Sequence, residues 1–444
     1  MSTLNAYIAT NRFGFGPRPG ELARIGDDAR GWLKAQIRRE TPPLAAFEHL
    51  PVAADNVLEI ANARRTDTQT YRATVERLSQ AHAPAEFQSR IEVMTHSETP
   101  FRERLVQFWS NHFTVSGEEP KVLPLAGAYE REAIRPHVFG RFEHLLLAAI
   151  RHPAMLMYLD NSYSFGPHSP LGQRVQGFSE RLAHGILTHH TLGPTGPYGQ
   201  DDVKALANML TGWSHGGIGG RGPHDGYFRF RPTGHEPGAK RFLGKRYPEA
   251  GVEEAERALA FLAGHHATAH FIATKLVRHF VADDPPPAAV RAITQVFYET
   301  GGDLAEVSTA LVDLDAAWSA PLTKVKTPYD LVVSTLRARG RQEIGPQGLM
   351  RSLSDLGQEI YHARTPAGWS DRAEDWMVRD ALIRRIEWAR EIASLTSRAV
   401  DPVALAEVAI GPVAAPDTLN TISQAPSVEA GVALVFASAE FQRR

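Results

Sequence analysis

Asn111 and His112 stand in Arg104-Leu-Val-Gln-Phe-Trp-Ser-Asn-His-Phe-Thr-Val-Ser116, an otherwise apolar stretch with helical periodicity. At 100° per residue, Phe101, Leu105, Phe108 and His112 share one face; Arg104, Gln107 and Asn111 form a polar stripe beside it, and Trp109 lies one turn before His112. Polar groups on such a helix need partners, so they belong to a structural network or to a reacting centre. His112 has the chemistry of a general base or a ligand, oriented by Asn111 or by a distant carboxylate such as Asp160. The structural reading, a hydrogen-bonded core histidine, is favoured. His190 repeats the pattern: Ala183, Ile186, Leu187 and His190 share a face, while Glu180, His184, Thr188 and Thr191 share another. His112, Asp160, Glu180 and His190 are thus the catalytic candidates, forming one His/carboxylate pocket if their helices meet, with His235 as a further member.

Other patterns carry less. His266 and His270 have the i, i+4 spacing of a helical metal pair, but no Glu follows His266, and a pair in the first helical turn is expected instead. No metal ligand set and no cofactor is assigned. Gly217-Ile-Gly-Gly-Arg-Gly222 matches a dinucleotide fingerprint in letters only, because a helix precedes it and none opens after it. Residues 234–240 lack the spacing of a phosphate loop, and no nucleophile elbow is found.

The elements that must position these residues are mostly helices. Thr99 reads as an N-cap and Pro100 as the first helical residue of the segment that carries His112. Residues 19–96 read as short helices broken at Pro42-Pro43, Pro51 and Pro84. Further helices fit 122–135, 141–157, 179–192, 201–213, 252–281, 285–299, 303–314, 328–339, 347–361, 375–397, 401–410 and 427–443, and Gly193-Pro194 is a stop signal. Residues 214–250 differ, being rich in Gly, His, Arg and aromatics. Phe228 and Phe230 alternate with Tyr227, Arg229 and Arg231, which predicts a strand with 240–246 returning as its partner. Arg229, Arg231, Lys240, Arg241, Lys245 and Arg246, interleaved with aromatics, could hold an anionic glycan, a phosphate or nucleic acid; a solvated basic edge is the plainer reading. A second Gly/Pro-rich excursion covers 364–372. Long loops inside a domain are usually functional or mobile.

The chain has 444 residues, 43% of them hydrophobic, so a large buried core is available. A net charge of −2 argues against a general polyanion binder, and nucleic acid is an unexpected partner. There is no cysteine, which excludes disulfides, thiolate metal sites and Cys nucleophiles; the 19 histidines leave nitrogen ligation open. No run reaches about 18 apolar residues, so no membrane span is expected. The opening residues lack a signal-peptide pattern, and a cytoplasmic location is the default. The expected fold is mainly α, a large irregular multi-helical domain over 1–444 with one short β-hairpin insertion. Within it, 1–98 is an N-terminal helical subdomain, 99–213 the motif-bearing core, 214–250 the insertion and 251–444 the C-terminal helical part.

Several segments together resemble a bacterial family known as domain of unknown function 1800. They are Asn11-Arg-Phe-Gly-Phe-Gly-Pro-Arg-Pro-Gly-Glu21, Phe108-Trp-Ser-Asn-His-Phe113, His152-Pro-Ala-Met-Leu-Met-Tyr-Leu-Asp-Asn161, the stretch from Asp202 to Trp213, and His235-Glu-Pro-Gly-Ala-Lys240. The likeness continues at Ala267-Thr-Ala-His-Phe271, Asp283-Asp-Pro-Pro286, Lys324-Val-Lys-Thr-Pro328, Gly368-Trp369 and Ala437-Ser-Ala-Glu-Phe-Gln-Arg443. The resemblance implies an all-α fold, export in many members, and a partner encoded by a neighbouring gene. It implies no activity. Arg104, Trp109, Asn111, Asn161, Arg229, Arg231, His235, Lys240, Lys326 and Trp369 are the binding candidates. The chain also departs from the family pattern. Where members read Asn-Glu-Asn-Leu-Ala-Arg-Glu-Leu-Leu-Glu-Leu-His, it has Ser179-Glu-Arg-Leu-Ala-His-Gly-Ile-Leu-Thr-His-His190, so His184, Gly185 and Thr188 replace chargeable groups; His266, His270 and Ala367 depart likewise. The expectation is therefore a helical interaction or scaffold protein with a partly degenerate polar site. The alternative is a hydrolase-like enzyme using a His/carboxylate pocket on polar or anionic substrates.

Overall fold

Helices form nearly all the regular structure, joined by two small antiparallel two-stranded sheets. The computed structural model describes residues 2–38, 44–217, 226–340, 344–396 and 400–444. Pro42-Pro43 and most of the 217–222 glycine pattern lie outside them. The helices that matter most here are α1 (Ser2–Arg12), α2 (Thr68–His96), α3 (Pro100–His112), α4 (His266–Phe280), α5 (Pro328–Arg339) and α6 (Arg379–Ser394). None of the described helices is long and apolar enough to cross a membrane.

The apolar residues gather in two large clusters. One holds Phe101, Leu105, Phe108 and Trp109 of α3 with Ile272, Leu276 and Phe280 of α4 and the helices around 142–158, 182–192 and 255–263. The other holds Phe87, Ile91 and Met94 of α2, Leu331 to Leu336 of α5, and Trp388, Val432 and Phe436 near the end of the chain. α3 is buried almost all round, so its polar stripe faces protein too.

Several expectations are corrected. Pro84 does not break the chain; it lies inside the 29-residue α2, whose buried residues Leu78, Phe87, Ile91 and Met94 offset the lost hydrogen bond. The span 252–281 is two helices, Val252–Ala263 and α4, parted at Gly264, and His265 caps the second through its ring. Pro153 divides the predicted 141–157 helix. Thr99 occupies the N-cap position of α3, but its side chain makes no capping bond. The insertion is paired differently from the prediction: Trp213–His215 (β1) pairs with Phe228–Phe230 (β2), and Lys240–Phe242 (β3) turns back on Lys245–Tyr247 (β4). The turn residue Gly244 has φ +74°, which favours the tight β3–β4 hairpin over the long-range partner.

Candidate functional site

The predicted pocket of His112, Asp160, Glu180 and His190 is not assembled. His112 and His190 do meet, with ring centroids 6.0 Å apart, but both are sealed in the core. Nε2–H of His112 donates to the His190 carbonyl at 3.1 Å, and Nδ1 accepts from Lys275 Nζ at 3.0 Å. Burial, then nearby Lys275, pushes His112 well below the usual histidine range. Among the described residues neither ring nitrogen of His190 has a partner, and burial drives it down to about 3. Trp109 packs edge-on against His112 and is equally buried.

Asp160 lies elsewhere, on the rim of a cavity of about 630 Å³ lined by Val57, Ile60, Arg64, Tyr163 and His215. It is ion-paired with Lys121 at 3.0 Å and with Arg181. Glu180 borders a shallow pocket with His184 and His189 and accepts from Gln200 at 2.7 Å. Asn161 ties two backbone carbonyls, Leu210 and Trp213. His235 and Lys240 both bind the buried Glu254, at 3.1 and 2.8 Å, and fasten the insertion to helix Val252–Ala263. Arg229 is the central residue of β2 and faces solvent, and Arg231 follows the strand, half-buried.

Four candidates do converge. Arg104, Asn111, Lys326 and Trp369 surround a polar seam where α3 meets α4, α5 and the 364–372 excursion. Arg104 donates to Asp330 at 2.6 Å and to the Gly14 carbonyl, and its guanidinium stacks 4.2 Å from the Phe15 ring. Arg444 reaches the other Asp330 oxygen at 3.2 Å. Burial alone would raise Asp330, but Arg104 and Arg444 hold it down at about 2. Lys326 lies over the Phe441 ring at 4.0 Å, its Nζ has no hydrogen-bond partner among the described residues, and burial pushes it down to about 7. Asn111 grips the backbone of Trp369 both ways, accepting from its N–H at 2.7 Å and donating to its carbonyl at 2.9 Å. This approach requires Gly368: φ is +82°, and a Cβ there would lie 2.4 Å from the Asn111 carbonyl oxygen.

The grip carries the next residues into place. Oδ1 of Asp371 accepts Nδ1–H of His279 at 2.7 Å. Nε2 of His279 is buried and has no hydrogen-bond partner among the described residues. The ring borders a cleft of about 90 Å³ that is also lined by Gln107, Ser110, Thr114, Gln358, Tyr361 and Trp369. Burial lowers His279 to about 4 against the opposing pull of Asp371, so it is neutral near pH 7. Burial would raise Asp371, but His279 and then Lys324 hold it well below the usual carboxylate range. A neutral imidazole fixed on a carboxylate through one nitrogen offers a lone pair on the other. That arrangement takes a proton from water or a hydroxyl, and the carboxylate stabilises the imidazolium that forms. Among the described residues, no group of three or more His, Asp or Glu side chains is placed to hold a metal ion.

Sequence reasoning missed His279, Asp371 and Lys275. A signal existed for two of them: Phe271, Lys275 and His279 recur at four-residue spacing along one face of α4, as Phe108 and His112 do on α3. No spacing could have announced Asp371, which is 92 residues from its partner.

No curated protein matches the chain, and no solved structure matches it. The segments that carry the family likeness supply much of the seam: Gly14, Asn111, Asp283, Lys324, Lys326, Gly368 and Trp369. A family model covers residues 8–443, nearly the whole chain, and the protein therefore belongs to the family described as protein of unknown function DUF1800.

Proposed function

We propose that the protein is an enzyme of the hydrolytic class, with His279 as its general base and Asp371 as the group that orients it, acting in the cleft beneath residues 364–372. The observation that carries this reading is the unpartnered Nε2 of His279, buried at the cleft wall while Nδ1 is committed to a carboxylate. A buried ring nitrogen without a partner is costly, so a ligand or water that satisfies it gains affinity. The polar lining suits an uncharged or weakly charged polar substrate, because the buried and half-buried carboxylates of the cleft are already paired: Asp330 with Arg104, Glu130 with Arg90 at 3.0 Å, and Asp371 with His279 at 2.7 Å.

The test is turnover of a panel of chromogenic esters, amides, glycosides and phosphate esters by wild type, His279→Gln and Asp371→Asn. The expected result is turnover of at least one class, lost by about 10²- to 10⁴-fold in His279→Gln with the melting temperature kept within a few degrees. Equal turnover by wild type and His279→Gln would sink the reading.

A second reading, an interaction protein with a neighbouring-gene partner, is favoured by one surface feature. Leu382 and Ile386 follow one another at helical spacing along the outer face of α6, with Ile383 beside them and Val378 just before the helix, and each is at least 36% exposed. Such ridges are typical of surfaces that another protein covers. Here Ile386→Glu would abolish co-purification of that partner while leaving the fold intact.

A further inference from the structure

Lys275 stands one turn before His279 on α4 and points at α3. Its Nζ donates to Nδ1 of His112 at 3.0 Å, and the direction of that bond is fixed because Nε2–H of His112 is already spent on the His190 carbonyl. Among the described residues no carboxylate lies within ion-pair distance of Nζ. The charged and titratable groups around it are Asp371 from the excursion, Arg278 on α4, and His189 and His190 on the turn that ends at His190.

The chain has eight lysines, and the others differ in kind. Lys34, Lys121, Lys240 and Lys324 are paired with Asp313, Asp160, Glu254 and Asp283. Lys326 is sealed at 1% exposure, and Lys204 and Lys245 stand in solvent. Lys275 alone is half-buried, free of a carboxylate and hydrogen-bonded to a neutral base. Burial also pushes its amine down to about 8, so a useful fraction is uncharged at neutral pH.

We propose that Lys275 is a nucleophilic amine, a second reactive group in the α3–α4 seam, which condenses with an aldehyde or ketone to form an imine with His112 as proton acceptor. The amine lone pair attacks the carbonyl carbon, giving a carbinolamine. His112 Nδ1 takes one of the two N–H protons and returns it to the hydroxyl as that group leaves. The carbonyl oxygen departs with both amine protons as one water, the C=N bond replaces C=O, and no oxidant or reductant is consumed. The residue that makes this possible is His112, whose lone pair points at Nζ instead of at another core donor.

The proposal goes beyond hydrolysis at His279 and is tested without it. Full-length protein is treated with propanal and sodium cyanoborohydride across pH 6–10, and the alkylated lysines are mapped by peptide mass spectrometry. At pH 7 Lys275 is expected to label about tenfold faster than Lys204 or Lys245, the gain in free amine being partly offset by the lower nucleophilicity of a weaker base. Its rate is expected to bend near pH 8, where half of the amine is deprotonated, and to level off above about pH 9. His112→Asn, if folded by circular dichroism, is expected to slow Lys275 labelling several-fold, because the proton acceptor is lost while burial still holds the amine down. Labelling of wild-type Lys275 no faster than Lys204 overturns the proposal whatever the variant does, as does a Lys275 rate that keeps rising without a plateau through pH 10.

Discussion

His112 and His279 show how the same side chain takes opposite parts in one seam. His112 has both nitrogens committed, one to a backbone carbonyl and one to an amine, whereas His279 has one committed and one bare. His112→Ala is therefore expected to act on stability first, lowering it by about 2–4 kcal/mol in urea unfolding, since it opens a cavity and strips the Lys275 amine of its acceptor. His279→Gln keeps most of the volume and a polar side chain, so its loss should fall on turnover. Much of this was legible. Arg104 and Asn111 stood out as a polar stripe on α3, and the family likeness drew in Lys326 and Trp369; Asn111 and Trp369 line the cleft, while Arg104 and Lys326 stand beside it around Asp330. Asp160 and Glu180 were chosen as partners for the buried histidines, yet they found nearer cations and amides at the surface. Sequence shows that a buried imidazole needs a partner; it does not show which distant group will be carried there.

At the level of elements, the 364–372 excursion is irregular, as its Gly and Pro content suggested. It is held by Asn111 at Trp369 and delivers Asp371 two residues later. Gly368→Ala should break that hold by forcing a Cβ into the Asn111 carbonyl at a positive φ, costing about 1–3 kcal/mol. Its melting temperature should fall, and His279-dependent turnover should fall further than in a surface variant of equal stability; unchanged turnover would mean the excursion does not deliver Asp371 for chemistry. Helix positions read well where start and stop signals are strong, as at Pro328–Arg339, predicted to the residue: Thr327 caps it, Pro328 opens it and Gly340 ends it. Pro84 and the strand pairing read badly for a shared reason. Local preference argued for a break and for a β2–β3 hairpin, while the winning contacts, α2 against α5 and β1 against β2, depend on what the rest of the chain brings alongside.

For the whole molecule, buried neutral histidines set the response to acid. His190, His215 and His279 are lowered by burial to about 3, about 4 and about 4. In the unfolded chain they would take protons near 6.5, so the folded protein binds fewer protons. Stability from this source is complete above about pH 6.5 and drains as pH falls towards 4, by up to about 4 kcal/mol per pH unit for the three together. Asp330 adds a further loss between about pH 4 and 2, as its carboxylate is forced to take a proton beside Arg104 and Arg444. Urea midpoints measured from pH 8 to pH 4 should fall steeply below 6.5; a flat profile would mean these rings are wet. The salt links of the seam also govern how the chain reaches this state. Arg104 and Asp330 are 226 positions apart, and Gly14 and Arg104 are 90 apart. Closing such distant contacts is slow relative to forming helices. Refolding should therefore give helical circular dichroism well before it gives the near-ultraviolet signal of the aromatic rings around Asp330, and a newly made chain will spend that interval with its charges unmated and in need of protection from its neighbours.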